Sequence, residues 1–125
     1  MKRSRKFLAL VFSVVLLLAL SMPALAAAKN VTISGGQYVE VLGGGACRNK
    51  NVTIECQNVV VLHHNDVRMR DINGNIVWEE YGAIGYNGSR TFWCGDNVYS
   101  IEVRIGAKNI VGDYIPKRGS CTVFW

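Results

Sequence analysis

Residue types suited to binding or reacting gather at three places in this 125-residue chain. The first is the stretch Tyr81-Gly82-Ala83-Ile84-Gly85-Tyr86-Asn87-Gly88-Ser89-Arg90-Thr91-Phe92-Trp93-Cys94, read as a glycine-punctuated loop leading into a strand. Neighbouring residues of a strand point to opposite faces, so Phe92 and Cys94 facing inward turn Thr91 and Trp93 outward. An exposed indole can stack on the apolar face of a ligand while amide and guanidinium groups supply directed hydrogen bonds. Tyr81, Tyr86, Asn87, Arg90 and Trp93 are therefore the expected ligand-binding set.

The second place is His63-His64-Asn65-Asp66, which holds both histidines of the chain. Adjacent strand residues diverge, and no third ligand stands nearby, so the pair reads as a strand end before a turn rather than a metal site. Glu79 and Glu80 also diverge and lack the cross-cleft separation that glycoside hydrolysis needs. Ser34, Ser89, Ser100 and Ser120 sit in no motif that would activate a nucleophile. The expectation is a protein that is not an enzyme and uses neither cofactor nor metal.

Third are the cysteines, Cys47, Cys56, Cys94 and Cys121. Their meaning depends on the compartment, and the N-terminus speaks to that. Lys2, Arg3, Arg5 and Lys6 precede an apolar run from Phe7 to Leu20, and Ser21-Met22-Pro23-Ala24-Leu25-Ala26 ends in the small-x-small pattern of a cleavage site. The apolar run before Ser21 is shorter than the about 20 residues a spanning helix needs. Residues 1–26 read as a signal peptide of bacterial type, and 27–125 as one secreted domain without stable membrane insertion after cleavage. Export carries the thiols to an oxidising compartment, so two disulfides are expected. Their wide spacing does not fit the close pairs of a zinc site.

Removing the leader also changes the charge. Four of the 14 Lys and Arg lie in it and none of the 9 Asp and Glu, which leaves 10 against 9. The longest surviving basic cluster is Lys117-Arg118, so nucleic acid and anionic membranes are not expected partners. Sequons at Asn30, Asn51 and Asn87 carry no weight beside a bacterial leader.

The elements that must position these residues are strands. Short Val, Ile, Tyr, Phe and Trp runs alternate with polar residues and break at Gly, Asn and Asp. Strands are expected at 31–34, 38–42, 52–56, 59–63, 67–72, 75–80, 90–94, 98–105, 110–115 and 121–125. The fold class is all-β, a small antiparallel β-sandwich or partly open barrel. Asn73-Gly74 predicts a two-residue type I′ hairpin that opposes Ile72 with Asn75, Arg68 with Glu79 and Met69 with Trp78. Val67, Met69, Ile76 and Trp78 then share one face, and Arg68, Arg70, Val77 and Glu79 the wetter one. Arg68 and Glu79 would form an ordinary ion pair. Lys29-Asn30-Val31-Thr32-Ile33 returns as Lys50-Asn51-Val52-Thr53-Ile54, an echo with no third copy. At the C-terminus, Cys121, Val123 and Trp125 share one face.

Four cysteines permit three connectivities. Cys47 with Cys56 and Cys94 with Cys121 is the favoured one, and Cys56 with Cys94 and Cys47 with Cys121 its rival.

Cys47-Arg48-Asn49, then Cys56, then Asn73-Gly74-Asn75-Ile76-Val77-Trp78 faintly resembles one repeat of a cyanovirin-type lectin. The likeness covers about a third of the mature chain and implies carbohydrate binding. Cys94 and Cys121 lie far apart where that family's second repeat has a close pair. The functional expectation is a secreted, non-catalytic binding module for an extracellular glycan or protein, with an antimicrobial or enzyme-inhibiting effector as the alternative.

Overall fold

The structure, a computed structural model, describes residues 2–21, 27–59, 63–107 and 118–125. One helix, α1 (Lys2–Ser21), precedes β1 (Ala28–Ile33), β2 (Val39–Leu42), β3 (Lys50–Asn58), β4 (His63–Arg70), β5 (Ile76–Ile84), β6 (Ser89–Cys94), β7 (Ser100–Ala107) and β8 (Gly119–Phe124). The basic residues of α1 crowd its N-terminus, where the helix dipole disfavours positive charge. The side chains from Ser4 to Leu16 are all exposed, including Phe7, Leu8 and Phe12, so this segment adds nothing to the core. No helix among the described residues is long and apolar enough to cross a membrane.

The strands form two four-stranded antiparallel sheets, ordered β1-β8-β3-β6 and β2-β7-β4-β5. Successive strands switch sheets except at the β4–β5 hairpin, which gives the strand order of a jelly roll. Alternation builds the core: Val52, Ile54 and Cys56 of β3 and Cys121 and Val123 of β8 are buried in one sheet. Val67 and Met69 of β4 and Ile101, Val103 and Ile105 of β7 fill the same core from the other sheet. Trp125 packs against it, in line with its place beside Cys121 and Val123. The all-β expectation holds. The two echoed segments, in β1 and β3, flank β8 on either side, each paired to it antiparallel. Of the expected strand 59–63, Val59 follows β3, which runs on to Asn58, and His63 opens β4; residues 60–62 and the expected strand 110–115 lie outside the described residues.

The hairpin keeps the expected Arg68–Glu79 and Met69–Trp78 pairs, but its turn differs. Asp71 accepts a 3.1 Å bond from the Gly74 N–H, and its Oδ1 accepts from the N–H groups of Asn73 and Asn75, both at 2.9 Å. Gly74 has φ +82° and Asn73 is not among the positive-φ residues, as in a four-residue turn closed by a glycine bulge rather than type I′. The carboxylate of Asp71 selects this turn by satisfying two backbone donors. The resulting register shift pairs Arg70 with Ile76, so Ile76 moves to the wet side and is exposed. The expected Arg68–Glu79 ion pair does not form, although the two residues face each other in the ladder. Arg68 bonds Glu102 of β7, which Arg70 also reaches at 3.0 Å.

Glu102 yields a pH prediction. Burial raises its pKa, but hydrogen bonds from Arg68 and Arg70 outweigh that, and the folded value lies below the ordinary carboxylate value. Its stabilisation is therefore complete above the unfolded pKa and is lost as pH falls through the folded one. Urea unfolding across the acid range should show a shallower loss of stability in Glu102→Gln than in wild type; parallel curves would contradict the assignment.

All four cysteines are buried, and each is a free thiol in this structure. Their placement overturns the favoured pairing. In the β3–β6 ladder Cys94 faces Lys50, while in the β3–β8 ladder Cys121 faces Cys56. Cys56 lies six residues along β3 from Lys50, about 20 Å at strand rise. Cys94 is thus far from both Cys56 and Cys121, and Cys47, whose carbonyl accepts from the Lys50 N–H at 3.2 Å, is far from Cys56.

Candidate functional site

In the jelly-roll order β5 and β6 each end a sheet, and they lie on the same side of the sandwich. A cleft of about 620 Å³ opens there. Met69, Trp78, Phe92 and Val98 supply its apolar lining, with Trp78 and Phe92 edge to face at 5.7 Å between ring centroids. Arg90 and Trp93 of β6 also line it, and Gly95, Asp96 and Asn97 belong to the turn after β6. Parity in β6 is as expected: Phe92 and Cys94 are buried and Trp93 is 64% exposed.

Arg90 spans the cleft. Its Nη1 donates to Glu80 Oε2 and, at 3.1 Å, to the Ala83 carbonyl, both on β5. Its guanidinium carbon sits 4.9 Å from the Phe92 ring centroid, within cation–π range. A guanidinium has five N–H donors in all, so one anchored at Nη1 still presents a donor edge to a ligand.

The turn bearing Asp96 is held from the neighbouring turn. Arg48 Nε donates to the Asp96 carbonyl at 3.1 Å, and Asn49 Nδ2 to Asp96 Oδ1 at 3.2 Å. The Asn49 N–H also bonds the Gly95 carbonyl at 3.4 Å. The Cys-Arg-Asn motif thus positions one wall of the cleft. Its side chains act as struts.

Of the five expected ligand residues, the cleft brings together Arg90 and Trp93. Tyr81 lies on the outer face of the β2-β7-β4-β5 sheet, its ring 5.7 Å from the Arg104 guanidinium. Tyr86 is exposed in the turn between β5 and β6 and does not line this cleft. Asn87 has φ +46°, and its Oδ1 accepts from the Asn58 N–H at 2.8 Å, so it serves the fold. Beside it Asn58 and Asn65 exchange reciprocal amide bonds of 3.0 and 2.9 Å between the two sheets. A second groove at Glu55, Gln57, Asn58 and Asn87 is the more polar of the two.

The segment read as a loop from Tyr81 onward is in fact strand as far as Ile84, with a bulge. Asn65 pairs with Ile84 and Val67 with Glu80, so Tyr81, Gly82 and Ala83 together oppose Asp66. Gly82 takes φ +65°, a left-handed conformation that glycine accepts without Cβ strain. Its N–H donates to Asp66 Oδ1 at 2.8 Å. Asp66 is buried; Arg104 Nε and Nη2 reach its Oδ2 at 3.1 and 2.8 Å, and His64 Nε2 lies 3.2 Å from Oδ1. A carboxylate so fully engaged by donors is a structural keystone rather than a general base.

Tyr38 lies against this network. Its ring is flanked by Arg68 at 3.8 Å and Arg104 at 4.5 Å, and its hydroxyl donates to Glu79 Oε1 at 3.2 Å. Burial, opposed by Arg104 and joined by the Glu79 bond, pushes its pKa up to about 12. His63 points the other way and is buried, as alternation requires. Among the described residues no group of three or more His, Cys, Asp or Glu is placed to hold a metal ion.

Asp66→Asn tests the keystone. In either amide orientation an NH₂ faces a donor, Gly82 on one side or Arg104 on the other, and an unsatisfied buried group costs about 1–3 kcal/mol. The expected result is an unfolding free energy lowered by that amount, read as a lower urea midpoint, with an unchanged midpoint as the contrary one.

Two residues that line the cleft, Trp78 and Asp96, escape a reading of the sequence. Each lies on a different sheet edge or turn from Trp93, and only topology joins them. Asp66 is missed for a local reason: His63 to Asp66 read as a strand end before a turn, whereas all four residues lie within β4, which begins at His63. No protein-family model matches the chain, and neither does any curated protein. Fold and site together describe a small jelly-roll β-sandwich with an aromatic cleft between its edge strands.

Proposed function

We propose that the chain is an exported, disulfide-linked β-sandwich that binds without catalysing, and that a glycan or other cell-surface component occupies the β5–β6 cleft. The observation that carries this reading is Trp93, 64% exposed at a cleft that also presents Arg90, Asp96 and Asn97. A large apolar ring left in water is informative when polar groups converge beside it. Indole faces stack on the C–H faces of sugar rings, while guanidinium, amide and carboxylate groups bond the hydroxyls. Export is supported by the basic and apolar N-terminal segment, whose described side chains bury nothing, and by the small-x-small stretch after it.

Screening the mature domain against immobilised glycans and purified cell walls tests the reading. Saturable retention on a glycan that a soluble form of the same sugar displaces is the expected result. Absence of retention on every glycan and wall preparation would overturn it.

A further inference from the structure

The geometry points to one cysteine connectivity: Cys56 with Cys121, and Cys47 with Cys94. Cys56 and Cys121 are directly opposed on neighbouring antiparallel strands, with their sulfurs 3.0 Å apart. The Cys56 N–H bonds the Gly88 carbonyl at 2.8 Å, on the side of β6. A residue's N–H and C=O point to the same side of its strand, so towards β8 Cys56 occupies a non-hydrogen-bonded position. Opposed α-carbons are then about 4.5 Å apart, inside the window a disulfide accepts. Both side chains face the core, so closing the bond requires only side-chain rotation.

Cys47 and Cys94 meet at the other end of β3. The Lys50 N–H bonds the Cys47 carbonyl at 3.2 Å and the Asn49 N–H bonds the Gly95 carbonyl at 3.4 Å, which folds the turn carrying Cys47 against the end of β6. Cys47 Sγ donates to the Val98 carbonyl at 3.6 Å, the Cys94 thiol lies within interaction range of it, and both cysteines are fully buried. In the folded chain Cys94 lowers the Cys47 thiol below the ordinary cysteine value against the opposing effect of burial, a mark of how close the two sulfurs lie. The other two connectivities each need a bond over about 20 Å of strand, far beyond the roughly 7 Å limit between α-carbons.

The oxidising surroundings rest on the export proposed above, whereas the pairing rests on geometry alone. The oxidant is of the disulfide class. The thiolate of one cysteine of the pair, Cys47 for instance, attacks one sulfur of that disulfide, forming a mixed disulfide and releasing one thiolate. Cys94 thiolate then attacks the Cys47 sulfur, closing the protein bond and releasing the second. Two protein thiols lose two protons and two electrons, and the oxidant disulfide becomes two thiols. Cys56 and Cys121 follow the same course. Because all four sites are buried in the fold, exchange belongs to the stage before the sheets close.

Refolding the reduced full chain in a buffer of glutathione and glutathione disulfide tests the pairing independently of export. Peptide mapping by mass spectrometry after alkylation without reductant should find Cys47 joined to Cys94 and Cys56 joined to Cys121. Either of the other connectivities, or thiols that still alkylate after unfolding of the oxidised product, overturns the inference. The variant Cys56→Ser should leave Cys121 open to alkylation and Cys47 joined to Cys94; a new bond from Cys121 to Cys47 or Cys94 would contradict it. Ligand retention plays no part in these readouts, so failure here is distinct from failure of the binding reading.

Discussion

Reducing the oxidised protein is expected to lower its Tm by roughly 20 °C or more, at about 4–8 °C for each kcal/mol in a domain of 60–100 residues. Cys56 and Cys121 are 65 residues apart in the chain. Closing a loop of that length in the unfolded state is worth about 4 kcal/mol on chain-entropy grounds, and the loop from Cys47 to Cys94 is only somewhat shorter. A domain of this size buries too little surface for such contributions to be minor. Calorimetry with and without a phosphine reductant checks the effect, and a Tm that moves by only a few degrees would contradict it. The two bonds should also differ in kind. Replacing Cys56 and Cys121 by alanine removes a link between β3 and β8 at the centre of a sheet, remote from the cleft. Replacing Cys47 and Cys94 loosens the turns that hold Asp96 at the cleft wall, so that variant should lose ligand affinity as well as stability.

Trp93→Ala is expected to reduce ligand affinity about 30-fold or more, the loss that follows from about 2 kcal/mol at an aromatic contact that dominates its interface. The same change should leave Tm nearly constant, because the indole is 64% exposed and the core contacts of β6 belong to Phe92 and Cys94. Tyr81→Ala supplies the contrast. Tyr81 is a conspicuous aromatic of the same stretch, but the bulge at Gly82 and its position near Arg104 place it on the outer sheet face. Titration calorimetry of the two variants should therefore diverge. Equal losses would mean that the whole stretch binds as one loop.

Much of this arrangement can be read in the chain itself, and the remainder depends on partners distant in sequence. Alternation placed the buried and exposed sides of β6 and β8, and with them the outward turn of Trp93, since parity is local. The Met69–Trp78 pair followed from hairpin length. The turn itself did not, because the Asp71 carboxylate, rather than Asn-Gly alone, chose its geometry. The bulge at Tyr81–Ala83 needs Asp66 from the opposing strand, and Asp66 needs Arg104 from a third. The cysteine pairing turned on which strand lies beside β3, and that strand is β8, from the far end of the chain. The cleft was half legible for the same reason: Arg90 and Trp93 stand together in sequence, whereas Trp78 and Asp96 join them only when β5 and β6 become the ends of two facing sheets.

The measurement that tests the central claim most directly is saturation binding of wild type, Trp93→Ala and Tyr81→Ala to a glycan array and to purified cell walls, with each protein's Tm taken alongside. The account predicts that wild type and Tyr81→Ala are retained alike, and that Trp93→Ala is lost at an unchanged Tm. A wild-type protein that no surface retains, or a Trp93→Ala variant retained as well as wild type, would contradict it.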